Sequence, residues 1–270
     1  MTKTAGSGAT RSGEDFHNED AFLVEDELGL YAVCDGWGQH PGGEVASFVV
    51  IEAIEQCLEA DPDLARGQLP AAEQVEDAVR FALDAVNEIG QERADLEGMA
   101  TTVTLLIVRG RRGLIAHTGD SRAYLLRRGK ALQLTSDQEW HDLSEGGAPP
   151  RQAPAFTIEV FPVQLSAGDT IVLCTDGAEK ELEDSDQIQA AHSLPPRILA
   201  SRLVAAAHRR DPHHDATVVV VRIREPFERA HMELSHPPRR TAFGHVLPLP
   251  PDEDDSSSDY GERDIRRSRR

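Results

Sequence analysis

Aromatic residues make up only 5% of this 270-residue chain, cysteines number three, and 28 Lys and Arg face 47 Asp and Glu. Each scarcity excludes something. A formal charge of -19 repels phosphate backbones and anionic lipid, so neither nucleic acid nor a membrane surface is an expected partner. Cys34, Cys57 and Cys174 are an odd set without metal-type spacing, and Cys34 and Cys174 lie inside apolar runs. They read as buried small hydrophobes, not as disulfides. No apolar stretch approaches the roughly 20 residues that span a bilayer, and the opening MTKTAGSGATRSGEDF lacks a signal-peptide core. A cytoplasmic protein is expected.

What the chain does contain is short β-branched runs interleaved with helical periodicity. Residues 1–14 form a polar, Gly/Ser-containing segment that reads as a flexible arm. Ala21–Val24 and Leu30–Cys34 flank the turn-like EDELG and predict a hairpin. Apolar residues from Glu44 to Ala60 recur at three- and four-residue steps, and a second such pattern follows Pro70 from about Ala71 to Ala94. These predict two amphipathic helices packed antiparallel. The runs TTVTLLIV, GLIAHTG, AYLLRRG and ALQLT predict a β-meander over residues 101–134, and Asp137–Ala155 reads as a loop. Strands are expected again at Phe156–Leu165, Thr170–Thr175 and Ala216–Ile223, with helical stretches at Glu179–His192 and Pro196–Arg209. Strands in runs, with helices grouped around them, imply antiparallel sheets under helical layers, an α+β protein. Residues 15–225 thus read as one domain. Residues 226–270, with six prolines and segregated acidic and basic blocks, read as a disordered tail.

Acids recur where strands end. Glu19-Asp20 precedes one strand, Asp35-Gly36 follows another, Asp120 follows IAHTG, Asp176-Gly177 follows TIVLCT, and Asp215 opens the last strand. Each alone is an ordinary turn residue. Together they can converge on one point, where mutual repulsion would favour a bound cation, and oxygen-only ligands favour Mg²⁺ or Mn²⁺. Gly36, lacking a side chain, could turn its own carbonyl to the same ion.

The segments HNEDAF, YAVCDGWGQHPGGEVAS, GMATTVTLLIV, AHTGDSRAYLLRRGKALQLTSDQ, DTIVLCTDG and DATVVVVRI resemble, in order and approximate spacing, the protein phosphatase 2C family of metal-dependent Ser/Thr phosphatases. The resemblance spans about residues 15–223. It implies a four-layer α/β/β/α sandwich of two antiparallel sheets flanked by helices, with two Mg²⁺ or Mn²⁺ ions between the sheets and a third, weaker ion in some members. By position, Asp35 would bridge the ions, Gly36 would offer its carbonyl, Glu19 and Asp20 would hold ions directly or through water, Asp176 would be a direct ligand, and Asp120 would serve the third ion. Asp35 and Asp176 carry the catalytic assignment. The implied reaction is hydrolysis of phosphoserine and phosphothreonine in proteins by an activated water, by a monomer acting opposite a Ser/Thr kinase.

The chain departs from that pattern in two places. His214 stands where the family has its last metal acid, which leaves three readings open: His214 is the ligand, a small loop shift lets Asp215 serve, or the site has lost an ion. Asp15 stands where many members have a phosphate-gripping arginine, and Arg11 is the candidate substitute. Gln39 and Gln138 are milder departures. These differences sustain a second reading, an inactive phosphatase-like module that binds phosphoproteins.

Overall fold

Strands whose two faces are both apolar can only be buried on both sides, and that requirement sets the layering here. The computed structural model describes residues 4–14, 17–37, 42–138, 157–183, 187–188, 191 and 193–224. Among the described residues ten strands are found: β1 (Thr4–Arg11), β2 (Asp20–Glu25), β3 (Leu30–Asp35), β4 (Val103–Arg109), β5 (Arg112–Thr118), β6 (Arg122–Arg127), β7 (Lys130–Gln133), β8 (Glu159–Gln164), β9 (Thr170–Cys174) and β10 (Ala216–Ile223). They form two five-stranded antiparallel sheets, β1-β10-β9-β6-β7 and β2-β3-β4-β5-β8. Among the described residues the helices are α1 (Gly43–Glu59), α2 (Pro62–Ala65), α3 (Ala72–Glu92) and α4 (Pro196–Arg210), with a 3-10 helix at Asp176–Leu182.

The period-two alternation assigns each side chain to a layer. In β3, Leu30, Ala32 and Cys34 face α1 and α3, whereas Tyr31 and Val33 face the opposite sheet. In β10, Val218 and Val220 pack toward α4, whereas Val219, Val221 and Ile223 fill the space between sheets. Three apolar layers therefore separate four structural ones, α/β/β/α, with α1 and α3 packed together on one outside and α4 on the other. None of the helices described is long and apolar enough to cross a membrane.

Two expectations need correction. Residues 4–11, read as part of a flexible arm, form strand β1, paired along its whole length with β10 from Thr4↔Ile223 to Arg11↔Ala216. TAGSGATR hides this because it lacks apolar alternation. Its glycines admit aromatic rings instead: a Cβ on Gly8 would lie 2.2 Å from the Phe22 ring, and one on Gly6 would lie 2.5 Å from that of Tyr31. Residues 101–134 are also not one meander. β4 and β5 belong to one sheet, and at Gly119-Asp120-Ser121 the chain crosses to β6 and β7 of the other. The tail and most of the loop expected at Asp137–Ala155 lie outside the described residues.

Candidate metal centre

The β2–β3 hairpin places Asp20 directly across from Asp35 as paired residues of an antiparallel ladder. Like charges opposite one another destabilise a sheet, so this pairing works against the fold unless something neutralises it. Burial, with the charges of Asp215 and Asp176, pushes Asp20 up to about 8 against two opposing hydroxyl hydrogen bonds. Asp35 is pushed well above the usual carboxylate range by burial first, then by the charges of Asp20, Asp176 and Asp120 and by a hydrogen bond with Asp176. Asp120 rises to about 6, through burial and then the charge of Asp176. Asp20, Asp35, Asp120, Asp176 and Asp215 thus share one electrostatic neighbourhood although they come from both sheets.

Hydroxyls hold these acids. Thr175 Oγ1 donates to Asp20 Oδ2 at 2.9 Å, a bond that crosses from one sheet to the other, and Thr175 Oγ1 accepts from the Thr217 N–H at 3.0 Å. Asp20 Oδ1 is buried with no hydrogen-bond partner among the described residues. The backbone of Asp35 is fixed by threonines: its N–H donates to Thr102 Oγ1 at 3.0 Å, and its carbonyl accepts from Thr101 Oγ1 at 2.9 Å and from the Thr102 N–H at 2.9 Å. Thr102 and Ser121 share a 2.6 Å hydroxyl hydrogen bond. Glu19 brings its carboxylate against Gly43, the first residue of α1, where the helix dipole favours negative charge. Gly36 is required for a reason the sequence did not suggest: a Cβ there would lie 2.2 Å from the Gly43 carbonyl oxygen and 2.7 Å from that of Glu19.

The two candidates for the last ligand separate clearly. Asp215 accepts the Gly13 N–H at Oδ1 (2.8 Å) and the Glu19 N–H at Oδ2 (2.7 Å), and its charge is felt by Asp20. His214 is exposed, with Nε2 3.8 Å from Asp211 Oδ2. Arg11 sits exposed at the end of β1 opposite Ala216, held on a strand and not on a free arm. Among the described residues no three acidic, histidine or cysteine side chains already stand in a ligand arrangement. The acids are adjacent but not drawn together.

The phosphatase 2C family model matches residues 7–210. The chain belongs to the protein phosphatase 2C family. It is 34% identical over 221 residues to the serine/threonine protein phosphatase PstP of Mycobacterium tuberculosis, a match covering 76% of this chain but only 42% of that longer protein. It is 27% identical over 233 residues to a serine/threonine phosphatase of Listeria welshimeri, covering 76% of this chain and 90% of the relative. The solved catalytic domain of PstP in complex with two manganese ions superimposes with a TM-score of 0.71 at 28% identity, covering 83% of this chain and all of that one. The fold expected from the resemblance, two antiparallel sheets flanked by helices, is the fold of this phosphatase 2C domain.

A hard divalent cation suits this donor set. It is built from carboxylate and carbonyl oxygens, and the buried, unpartnered Asp20 Oδ1 is an acceptor awaiting a positive charge. Sequence reasoning found the acids because each lies at one end of a strand, and all but Asp215 stand beside a glycine or another acid. It missed Thr101, Thr102, Ser121, Thr175 and Thr217, whose roles exist only once β3 has paired with β4, β9 with β10, and the two sheets have met. The repeated threonine at strand ends (TT before VTLLIV, T before DG, T after DA) was the available signal.

Proposed function

We propose that this protein hydrolyses phosphoserine and phosphothreonine esters of phosphoproteins, opposite a Ser/Thr kinase, with Mg²⁺ or Mn²⁺ held by Asp20, Asp35, Asp176 and the Gly36 carbonyl. Asp120 would serve a third, weaker ion. The observation that carries the reading is the Asp20–Asp35 pair, a buried and a half-buried aspartate facing each other across a ladder, with Asp20 Oδ1 unpartnered among the described residues. The two manganese ions of the PstP catalytic domain support it. When bound, the ions would supply a water acidified to near-neutral pKa and positive charge for the phosphate oxygens. The chain's own residues do the rest. Asp35, whose carboxyl feels the charges of both Asp20 and Asp176, would help hold the ions. Asp215 spends both oxygens on the Gly13 and Glu19 N–H groups and thereby fixes the loop that carries Glu19. Arg11, at the edge of this end of the sandwich, is the candidate grip for the substrate phosphate, where a guanidinium fork matches two oxygens.

A second reading has its own support. With His214 turned to Asp211 and Asp215 engaged by backbone, one ion has fewer carboxylates than the motif expects, which suits a weak or inactive phosphoprotein-binding module. Hydrolysis of p-nitrophenyl phosphate and a phosphothreonine peptide with Mn²⁺, Mg²⁺ or EDTA, for the wild type, Asp35→Asn and His214→Asp, decides between them. The enzyme reading requires metal-dependent turnover that Asp35→Asn abolishes. No such turnover in the wild type, with a gain in His214→Asp, would establish the module instead.

A further inference from the structure

Arg122 stands outside the acid cluster but is tied to it from two directions. As the first residue of β6 it pairs with Cys174, two residues before Asp176. Its side chain then reaches past that turn to Glu179 Oε2 at 2.9 Å, three residues after Asp176 in the 3-10 helix. The turn that presents Asp176 is therefore bracketed by one residue, through its backbone on one side and its guanidinium on the other. Asp120, two residues upstream of Arg122, is held on the same short connection. The remaining donors are also used: Nε and Nη2 bond Asp137 Oδ1 and Oδ2 at 2.9 and 2.6 Å, and Nη1 donates to the Tyr124 hydroxyl at 3.1 Å. The Arg122 side chain is 16% exposed, and those of Asp137 and Glu179 are 30% and 23% exposed. Both acids lie near enough to Asp120 for its carboxyl to feel their charges.

We propose that Arg122 is a positioning residue for the weaker cation site between Asp120 and Asp176, setting their separation by clamping the 3-10 helix to β6 through Glu179. The inference rests on the metal-dependent reading above. A planar fork with fixed donors suits the task, because it holds a distance as well as a charge. Asp137 plays a different part: it ties the Ser136–Gln138 segment to the same guanidinium, whereas the link to the Asp176 turn runs through Glu179.

The test is Mn²⁺ titration calorimetry on the full chain, with thermal melts of the metal-free proteins as a fold control. Arg122→Gln and Glu179→Gln each weaken the lowest-affinity Mn²⁺ class by roughly tenfold or more, the loss typical of removing a residue that orients metal ligands. Asp137→Asn, which removes a charge felt at Asp120 but keeps the Arg122–Glu179 link, weakens that class less than Glu179→Gln does. The double variant Arg122→Gln/Glu179→Gln is no worse than Arg122→Gln alone, because both changes break one link. Glu179→Gln keeps the Asp137 bond, so it reports even where Arg122→Gln does not fold. Isotherms of Arg122→Gln and Glu179→Gln matching the wild type overturn the inference, as does parallel weakening of every Mn²⁺ class with a lowered melting temperature. A wild type that binds no Mn²⁺ overturns the metal reading itself, an outcome distinct from wild-type binding that the variants leave intact.

Discussion

Asp35 illustrates how a single side chain can oppose the fold that carries it. Its carboxyl is raised well above the ordinary range by burial and by three neighbouring acids, so the metal-free protein bears a standing electrostatic cost at neutral pH. Asn in its place removes one of those charges at nearly constant shape. We predict that Asp35→Asn abolishes Mn²⁺-dependent hydrolysis yet melts higher than wild type in EDTA at pH 8, by about 2–4 °C for each kcal/mol relieved. A lower EDTA melting temperature would show that the carboxylate is not strained. Gly177 makes the opposite case, where the smallest residue matters most. A Cβ there would fall 2.0 Å from the Asp215 carbonyl oxygen, so Gly177→Ala is predicted to cost about 1–3 kcal/mol in urea denaturation. Because Asp215 holds Gly13 and Glu19, the same substitution should also weaken Mn²⁺ binding. Asp35 and Asp176 were legible in the sequence because each opens an acid-glycine pair at the end of an apolar run, and the structure leaves Asp35 half-buried and Asp176 exposed at that end of the sandwich. Asp215 was legible as an acid but not in its role, since its partners lie 196 and 202 residues away.

Strands and helices differ in how openly the sequence announces them. Ala216–Ile223 was delimited at both ends from its valine run, and α3 emerged from its apolar periodicity within two residues at either end. Both signals come from side chains that each element buries on its own. β1 carries no such signal, because its stability comes from main-chain bonds to β10 and from rings that other strands press onto its glycines. The crossing of Gly119-Asp120-Ser121 between sheets was hidden for a related reason: a tight turn looks the same whether the next strand pairs with the last or leaves it. We predict that removing residues 1–11 exposes the β10 edge and lowers the melting temperature by about 10 °C, as a loss of several kcal/mol would in a domain of this size. Increased aggregation, read by light scattering, should accompany it. An unchanged melt would mean that β1 contributes little.

Across the whole molecule, charge is unevenly placed. Residues 43–97, which contain α1 and α3, hold fourteen acids and three arginines, whereas α4 holds four arginines and no acid. Within this acidic body, pH and cations should act in opposite senses. Asp20 and Asp120 titrate near 8 and 6 in the folded state, against 3.8 for an unperturbed aspartate, so the folded protein holds protons that the unfolded chain releases. Their contribution to stability is complete below about pH 4 and is lost as pH rises through 6 and then 8. A divalent cation binds the ionised form, and its stabilisation must therefore grow over the same interval. We predict that melting temperatures between pH 5.5 and 8.5 fall with pH in EDTA, while the increment added by Mn²⁺ rises; a Mn²⁺ increment independent of pH would refute the linkage. The Thr175–Asp20 hydrogen bond gives this a mechanical side. With the Thr102–Ser121 and Tyr31–Thr4 hydrogen bonds it pins together two sheets whose shared interior is apolar, so the ion site lies on a seam, and whatever fills that site also rivets the two halves of the sandwich together.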